Sequence, residues 1–293
     1  MWNPFKRRAP SSEREASSPW RFSMALLTDV GCQRAVNEDA GVLIHPSGQQ
    51  KDLLAVVSDG MGGYQGGEVA SRLAIDVVCR AYYDETGPPA QRLLDAVAAA
   101  NRAIYDMSSQ NQQLAGMGTT CTALALCEDA AYMAHVGDSR LYLIRNGSIY
   151  QMTEDHSLVM DLVRRGVITA QGAREHPDRN ILQRALGRQP EVEISTWREG
   201  TPLQVGDRYL LCSDGLSGVL TDEIIREAAL GDDPPNACAA LIDLARRAGA
   251  PDNVTVGIIK ISKTDEENAL LPPTRELEAV ASENKDDRLE LEI

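Results

Sequence analysis

The chain has 293 residues, 43% of them hydrophobic, and a formal net charge of −14. That supplies the core of one large domain or two small ones, filled by Ala, Val, Leu and Ile because aromatics are few. No apolar run reaches the length of a membrane span, and the acid excess argues against a nucleic-acid partner, which calls for a basic face.

Residues 1–21 are polar, contain Pro and Ser, and lack periodicity, so they read as a disordered tail. Lys6, Arg7 and Arg8 have no apolar stretch behind them, so the start does not read as a secretory signal, and the chain is expected in the cytoplasm. Three charges are too few for a membrane anchor. One domain is expected over 22–262.

Within it, the apolar segments 41–45 and 53–58, joined by PSGQQ, read as a hairpin. Two Ala-rich stretches, 68–83 and 90–112, carry apolar residues near the helical period and are separated by Pro88-Pro89. Strands resume at 119–127, 131–136, 141–145 and 148–152, with Asn146-Gly147 as a tight-turn signal between the last two. Residues 157–187 read as a polar insert with short helices. A strand at 208–212, helices at 221–229 and 236–248, and a closing strand at 253–261 complete the domain.

From Lys263 the chain loses periodicity. Residues 261–293 hold ten acids and four bases, −6 of the total charge, and read as a flexible acidic tail in which 274–281 is a solvated stretch. Strands in hairpin runs and helices in pairs favour an α+β fold with antiparallel sheets. The cysteines Cys32, Cys79, Cys121, Cys127, Cys212 and Cys238 are scattered, make no CxxC pair, and read as apolar fillers in a reducing compartment.

One tripeptide occurs twice. Ser-Asp-Gly ends the apolar run LLAVVS at Asp59-Gly60 and the run YLLCS at Asp214-Gly215. A single Asp-Gly signals a turn and nothing more. But Gly137-Asp138 follows AYMAHV, Pro251-Asp252-Asn253 precedes VTVGIIKI, and Asn37-Glu38-Asp39 precedes GVLIH. Acidic turns at so many strand ends can converge on one sheet edge.

Carboxylates packed together without cations repel one another and take up protons. With divalent cations they become ligands, and an all-oxygen set without His or Cys suits manganese or magnesium. A glycine after Asp lets its backbone carbonyl approach an ion. Two such ions about 3.5–4 Å apart can share a water, lower its pKa and aim it at phosphorus. Arg34, three residues before Asn37, could hold the phosphate or form a surface salt bridge, and spacing alone leaves both open.

The motifs TDVGCQRAVNED (28–39), VVSDGMGG (56–63), GMGTT (116–120), HVGDSRLY (135–142), LLCSDGLS (210–217) and PDNVTV (251–256), in this order, resemble the bacterial form of the metal-dependent type 2C protein phosphatases. The likeness runs over about 22–261. It implies a four-layer α-β-β-α sandwich with two central antiparallel sheets and a small helical flap at 157–187. By motif, Asp59 bridges two manganese or magnesium ions, Gly60 lends its carbonyl to one, and Asp214 and Asp252 complete the other. Asp138, with Asp214, matches the ligands of a weaker third ion. Arg34 matches the phosphate-holding arginine, and Glu38 and Asp39 match residues that position metal-bound waters.

The activity so implied is hydrolysis of phosphoserine and phosphothreonine by direct attack of a water or hydroxide between the ions. Implied partners are phosphoproteins, among them a Ser/Thr kinase and its substrates, and the chain is expected to be a monomer. Animal-type members carry a proposed acid, His, where this chain has Met61; His156 is a minority candidate to replace it. His176 falls in the flap stretch, while His45 and His135 read as packed in strands.

A phosphoprotein-binding regulator that keeps the fold without turnover is the alternative, but Asp59, Asp214 and Asp252 are all present. A kinase or nucleotide hydrolase is disfavoured by the absence of GxxxxGK[ST] and of an HRD and DFG pair.

Overall fold

A computed structural model describes residues 19–45, 52–62, 66–231 and 233–263. Most of the expected tails, the PSGQQ turn, and the stretch 274–281 lie outside the described residues.

Strands that are apolar on both faces dictate the layering. Antiparallel strands β1 (Trp20–Asp29), β12 (Val254–Lys263), β11 (Arg208–Cys212), β7 (Arg140–Arg145) and β8 (Ser148–Gln151) form one five-stranded sheet in that order. The other is seven-stranded. Its path is β10 (Thr201–Pro202), β6 (Ala130–Val136), β5 (Cys121–Cys127), β3 (Leu53–Met61) and β2 (Asp39–Ile44), with β4 (Gly118–Thr119) on β3 and β9 (Ser195–Thr196) on β6.

Successive strand side chains point to opposite faces. Leu53, Ala55 and Val57 therefore meet Leu141, Leu143, Tyr209, Leu211 and Ile259 between the sheets. Leu54 and Val56 point the other way, into α1 (Gly66–Asp84) and α2 (Pro89–Gln110). On the far side, Tyr142, Leu210 and Val256 pack under α5 (Asp214–Ser217), α6 (Asp222–Gly231) and α7 (Pro234–Arg247). These three apolar layers make the chain the expected α+β, four-layer α-β-β-α sandwich.

Local signals explain several boundaries. Pro89 begins α2 at a position where a missing N–H costs nothing. Asp233 caps α7 by accepting from Asn236 N–H. Asn146 and Gly147 both have positive φ, as the tight β7–β8 turn requires.

Three features depart from the sequence reading. β1 starts at Trp20, before the expected boundary at 22, and no strand was expected there at all. It is an edge strand paired along its whole length with β12, and its broken burial pattern hides the strand period. β3 continues through Asp59, Gly60 and Met61 rather than ending at Ser58, because β4 pairs with Gly60 and Met61. Asp214 is the first residue of helix α5, not part of an open turn.

In the insert, only α3 (Leu158–Arg164) and α4 (Ala170–Glu175) are helical. Their caps are Ser157 and Thr169. The remainder is irregular and is tied down by bridges from Leu182 to Ser157 and from Leu186 to Thr119.

Candidate metal centre

The strand ends deliver the acids to one place. A cavity of about 700 Å³ is lined by Arg34, Glu38, Asp59, Gly60, Asp138, Asp214 and Asp252, together with residues 180–193 of the insert side. Asp39 does not line it. It lies buried just behind, as the register partner of Asp59 across the β2–β3 ladder.

The second layer holds these carboxylates in position. Ser213, the serine of the second Ser-Asp-Gly, donates to Asp39 Oδ2 at 2.7 Å, and Thr255 donates to the same oxygen at 2.8 Å. Asp59 N–H donates to Thr120 Oγ1 at 2.8 Å, and the Asp59 carbonyl accepts from Thr120 N–H at 2.9 Å. Asn253 anchors the Arg34–Glu38 loop: its side-chain N–H groups donate to the carbonyls of Val30 and Val36, and its oxygen accepts from Glu38 N–H at 2.8 Å. Thr120, Ser213 and Asn253 fall inside the quoted motifs but had no role assigned from sequence, although the repeated serine was a visible signal for Ser213.

The two glycines share a reason that the sequence did not reveal. A Cβ on Gly60 would collide with the carbonyl oxygens of Gly67 and Glu38, and one on Gly215 with that of Asn253. Glycine follows each Asp because neighbouring backbone crosses there. Those crossings bring the motifs Asn37–Asp39 and Asp252–Asn253 against the two Asp-Gly pairs.

Electrostatics follow from the crowding. Burial is the main cause that lifts Asp59 well above the ordinary carboxyl range, and Asp39, Asp214, Asp138 and Asp252 add repulsion. Burial likewise lifts Asp138 and Asp214, and raises Asp39 to about 7 even though Ser213 and Thr255 favour its charged form. Glu38 is raised by burial, with Arg34 opposing.

The donor set fits divalent cations. Asp39 Oδ1 and Asp214 Oδ1 are buried without a hydrogen-bond partner. A buried, unsatisfied carboxylate oxygen is costly, and a hard cation satisfies it. Among the described residues no three His, Cys, Asp or Glu side chains are drawn into a tight cage. Asp39 directs one oxygen to hydroxyls, and Asp252 accepts from Arg34 at 2.8 Å. Arg34 thus lines the cleft and forms a salt bridge at once, combining the two roles that spacing left open.

The histidines stand apart from this cleft. His156 is buried; its Nδ1 accepts from Gly137 N–H at 3.1 Å, and its backbone N–H donates to the Gly137 carbonyl at 2.7 Å. It braces the Gly137-Asp138 turn, and burial lowers its pKa to about 3. His135 is buried beside it and lowered to about 4, again by burial. His176 caps α4 and is not among the cleft-lining residues. His45 is exposed just past the end of β2, edge-on to Phe22, rather than packed within a strand.

A family profile described as Protein phosphatase 2C matches residues 33–232. The chain is 40% identical over 242 residues to the serine/threonine protein phosphatase PstP of Mycobacterium tuberculosis, a match spanning 82% of this chain and 45% of that protein. The chain therefore spans less than half the length of that relative. It is 34% identical over 252 residues to the protein phosphatase PhpP of Streptococcus pneumoniae, covering 84% of this chain and 100% of PhpP. A crystal structure of the catalytic domain of PstP with two manganese ions superposes with a TM-score of 0.72 at 37% identity, covering 83% of this chain and 100% of that one.

Proposed function

The chain belongs to the protein phosphatase 2C family, and from that premise we propose that it is a metal-dependent protein-serine/threonine phosphatase. The observation that carries this reading is the pair of buried, unpartnered carboxylate oxygens on Asp39 and Asp214, beside a cleft that also presents Arg34. Such a site is built for cations and for a phosphate.

Asp59, Asp214, Asp252 and the Gly60 carbonyl hold two manganese or magnesium ions in this reading, and Asp138 with Asp214 holds a weaker third. When bound, these ions neutralise phosphate charge and acidify water. The protein's own groups do the rest. The Arg34 guanidinium grips phosphate oxygens and is oriented by Asp252. Glu38 lines the cleft and accepts hydrogen bonds from water there, while Asp39, fixed behind it by Ser213 and Thr255, supports Asp59 across the ladder. Met61 has no proton to give, and neither His156 nor His176 lines the cleft, so the leaving oxygen takes its proton from water.

The substrates in this reading are phosphoproteins, including a Ser/Thr kinase and its targets. Residues 20–263 are the catalytic unit, 157–187 its flap, and the protein is a cytoplasmic monomer. No helix among the described residues is long and apolar enough to cross a membrane.

Phosphate release from a phosphothreonine peptide, measured with manganese, magnesium or chelator, tests the activity. Metal-dependent release that disappears in Asp214→Asn is expected. Folded protein that releases nothing under any metal would overturn it.

A further inference from the structure

Three arginines line the cleft: Arg34, Arg184 and Arg188. Two have acidic partners. Arg34 pairs with Asp252 at 2.8 Å, and Arg184 pairs with Glu193 at 2.7 Å. Arg188 forms no ion pair among the described residues, and its Nη1 donates to the Gly116 carbonyl at 3.0 Å. Glu191 lines the same wall and is likewise unpaired with it. A guanidinium carries five N–H donors, so most of those on Arg188 remain for a ligand.

The side chain is nonetheless seated. Its stem lies over Gly118, where a Cβ would stand 3.1 Å from Arg188 Cδ. The backbone beneath is pinned on both sides. Leu186 and Thr119 exchange backbone hydrogen bonds of 3.2 and 2.8 Å. The buried Asn101 of α2 accepts from Gly187 N–H at 2.9 Å and donates to the carbonyls of Gln189 and Pro190 at 3.1 and 3.2 Å. A long cation on fixed backbone loses less entropy when it binds.

Its position is set by the register. Gly118 is the partner of Met61, two residues beyond Asp59 on β3. Two strand residues span about 7 Å and the step to the next strand about 5 Å, so Arg188 lies within about three extended residues of the carboxylates. A substrate phosphorylated at the metal centre would bring its flanking residues past this cation.

We infer that Arg188 is a specificity-determining cation that takes an acidic group, a carboxylate or a second phosphate, within about three residues of the phosphorylated side chain. The inference rests on the phosphatase reading. With the carboxylates Asp59, Asp138, Asp214 and Asp252 given over to cations, and Arg34 and Arg184 each paired with an acid, Arg188 supplies the unmatched positive charge among the described residues on its side of the cleft.

The test is kcat/KM of the full chain with manganese on three sets of phosphothreonine peptides, scanned on both sides: all-Ala flanks, one Glu, and one phosphoserine. Wild type is expected to favour the best acidic flank about three- to fivefold through KM, as suits an exposed ion pair, and to lose the preference as salt is raised. In Arg188→Ala the acidic-to-Ala ratio falls to about one, and Arg188→Lys restores part of it. Because the readout is a ratio within each variant, general damage to the site cancels. A flat flank profile in wild type, or a preference that survives Arg188→Ala, overturns the inference. A stronger response to Glu than to phosphoserine identifies a carboxylate as the natural partner, and the reverse identifies a second phosphate. Fluorescence anisotropy with the same peptides reads the same ratio as affinity, so absence of turnover would sink the phosphatase reading while Arg188 is still decided.

Discussion

Asp39 and Asp59 sit directly opposite each other in the β2–β3 ladder, and both carboxyls are raised well above their ordinary pKa. Like charges in register destabilise a strand pair, so this ladder end is at its most strained when both acids are ionised and no cation lies between or beside them.

Stability should therefore depend on pH and metal together. A carboxyl whose folded pKa is raised favours the folded state below its unfolded pKa, and that contribution is lost as pH rises through the folded value. For Asp39 the window runs from about 4 to about 7. We expect manganese to raise the melting temperature of the chelated protein more at pH 7.5 than at pH 5, reaching about 2.7 kcal/mol at a hundredfold excess over its Kd. Equal stabilisation at both pH values, read by scanning calorimetry, would contradict the carboxyl cluster as the binding site.

Asp59→Asn and Asp214→Asn should abolish turnover, by about a hundredfold or more in kcat, while leaving the fold intact. Each removes a buried charge from the cluster, so the chelated variants should melt no lower than the wild type and should lose most of the manganese-induced rise. A variant that keeps most of its activity would remove that residue from the metal set.

Arg34→Ala should act on substrate more than on stability. Its salt bridge to Asp252 is largely exposed and contributes at most about 1 kcal/mol. Loss of a bidentate phosphate grip should lower kcat/KM on a phosphopeptide about tenfold or more, chiefly through KM. Unchanged steady-state constants would refute the assignment.

Ser213→Ala removes one of two donors to Asp39 Oδ2, leaving Thr255 alone. Ser213 favours the charged form of Asp39, so its loss should push the Asp39 pKa higher still. The acidic limb of the pH–rate profile should move to higher pH, with about 1 kcal/mol of stability lost. A limb that stays in place would mean Asp39 does not govern it.

His156→Gln separates bracing from acid catalysis. The native imidazole is neutral, with its pKa lowered to about 3, so it destabilises the fold as pH falls from about 6.5 toward that value. Glutamine should cost about 1–2 kcal/mol at pH 7 by weakening the support of the Gly137-Asp138 turn, lessen the acid sensitivity of stability, and leave the shape of the pH–rate profile unchanged. Disappearance of the basic limb would instead make His156 the proton donor.

Much of this protein is legible along the chain because its determinants are local. Continuous apolar runs at 53–57 and 209–212 place the strands between two apolar layers, Asn146-Gly147 fixes a hairpin, and the acids Asp59, Asp138, Asp214 and Asp252 all fall at or beside strand ends. Order and spacing of the motifs were enough to indicate the family.

Other features exist only once distant segments meet. β1 was invisible because an edge strand half open to solvent keeps no clean period, and its identity comes from its pairing with β12. Asp39 reads as a water-positioning acid in the motif, yet the fold seats it behind the cleft, held by Ser213 from 174 residues away. The glycines of the two Ser-Asp-Gly repeats are required because the carbonyls of Glu38, Gly67 and Asn253 cross there. Arg188 becomes distinctive only through what surrounds it: Asn101 fixes its backbone, and the acids nearby pair elsewhere or not at all. Composition and period decide which residues are buried. Which buried or rim residues face one another is set by the register of strands far apart in sequence, and the charge and chemistry of the site depend on those pairings.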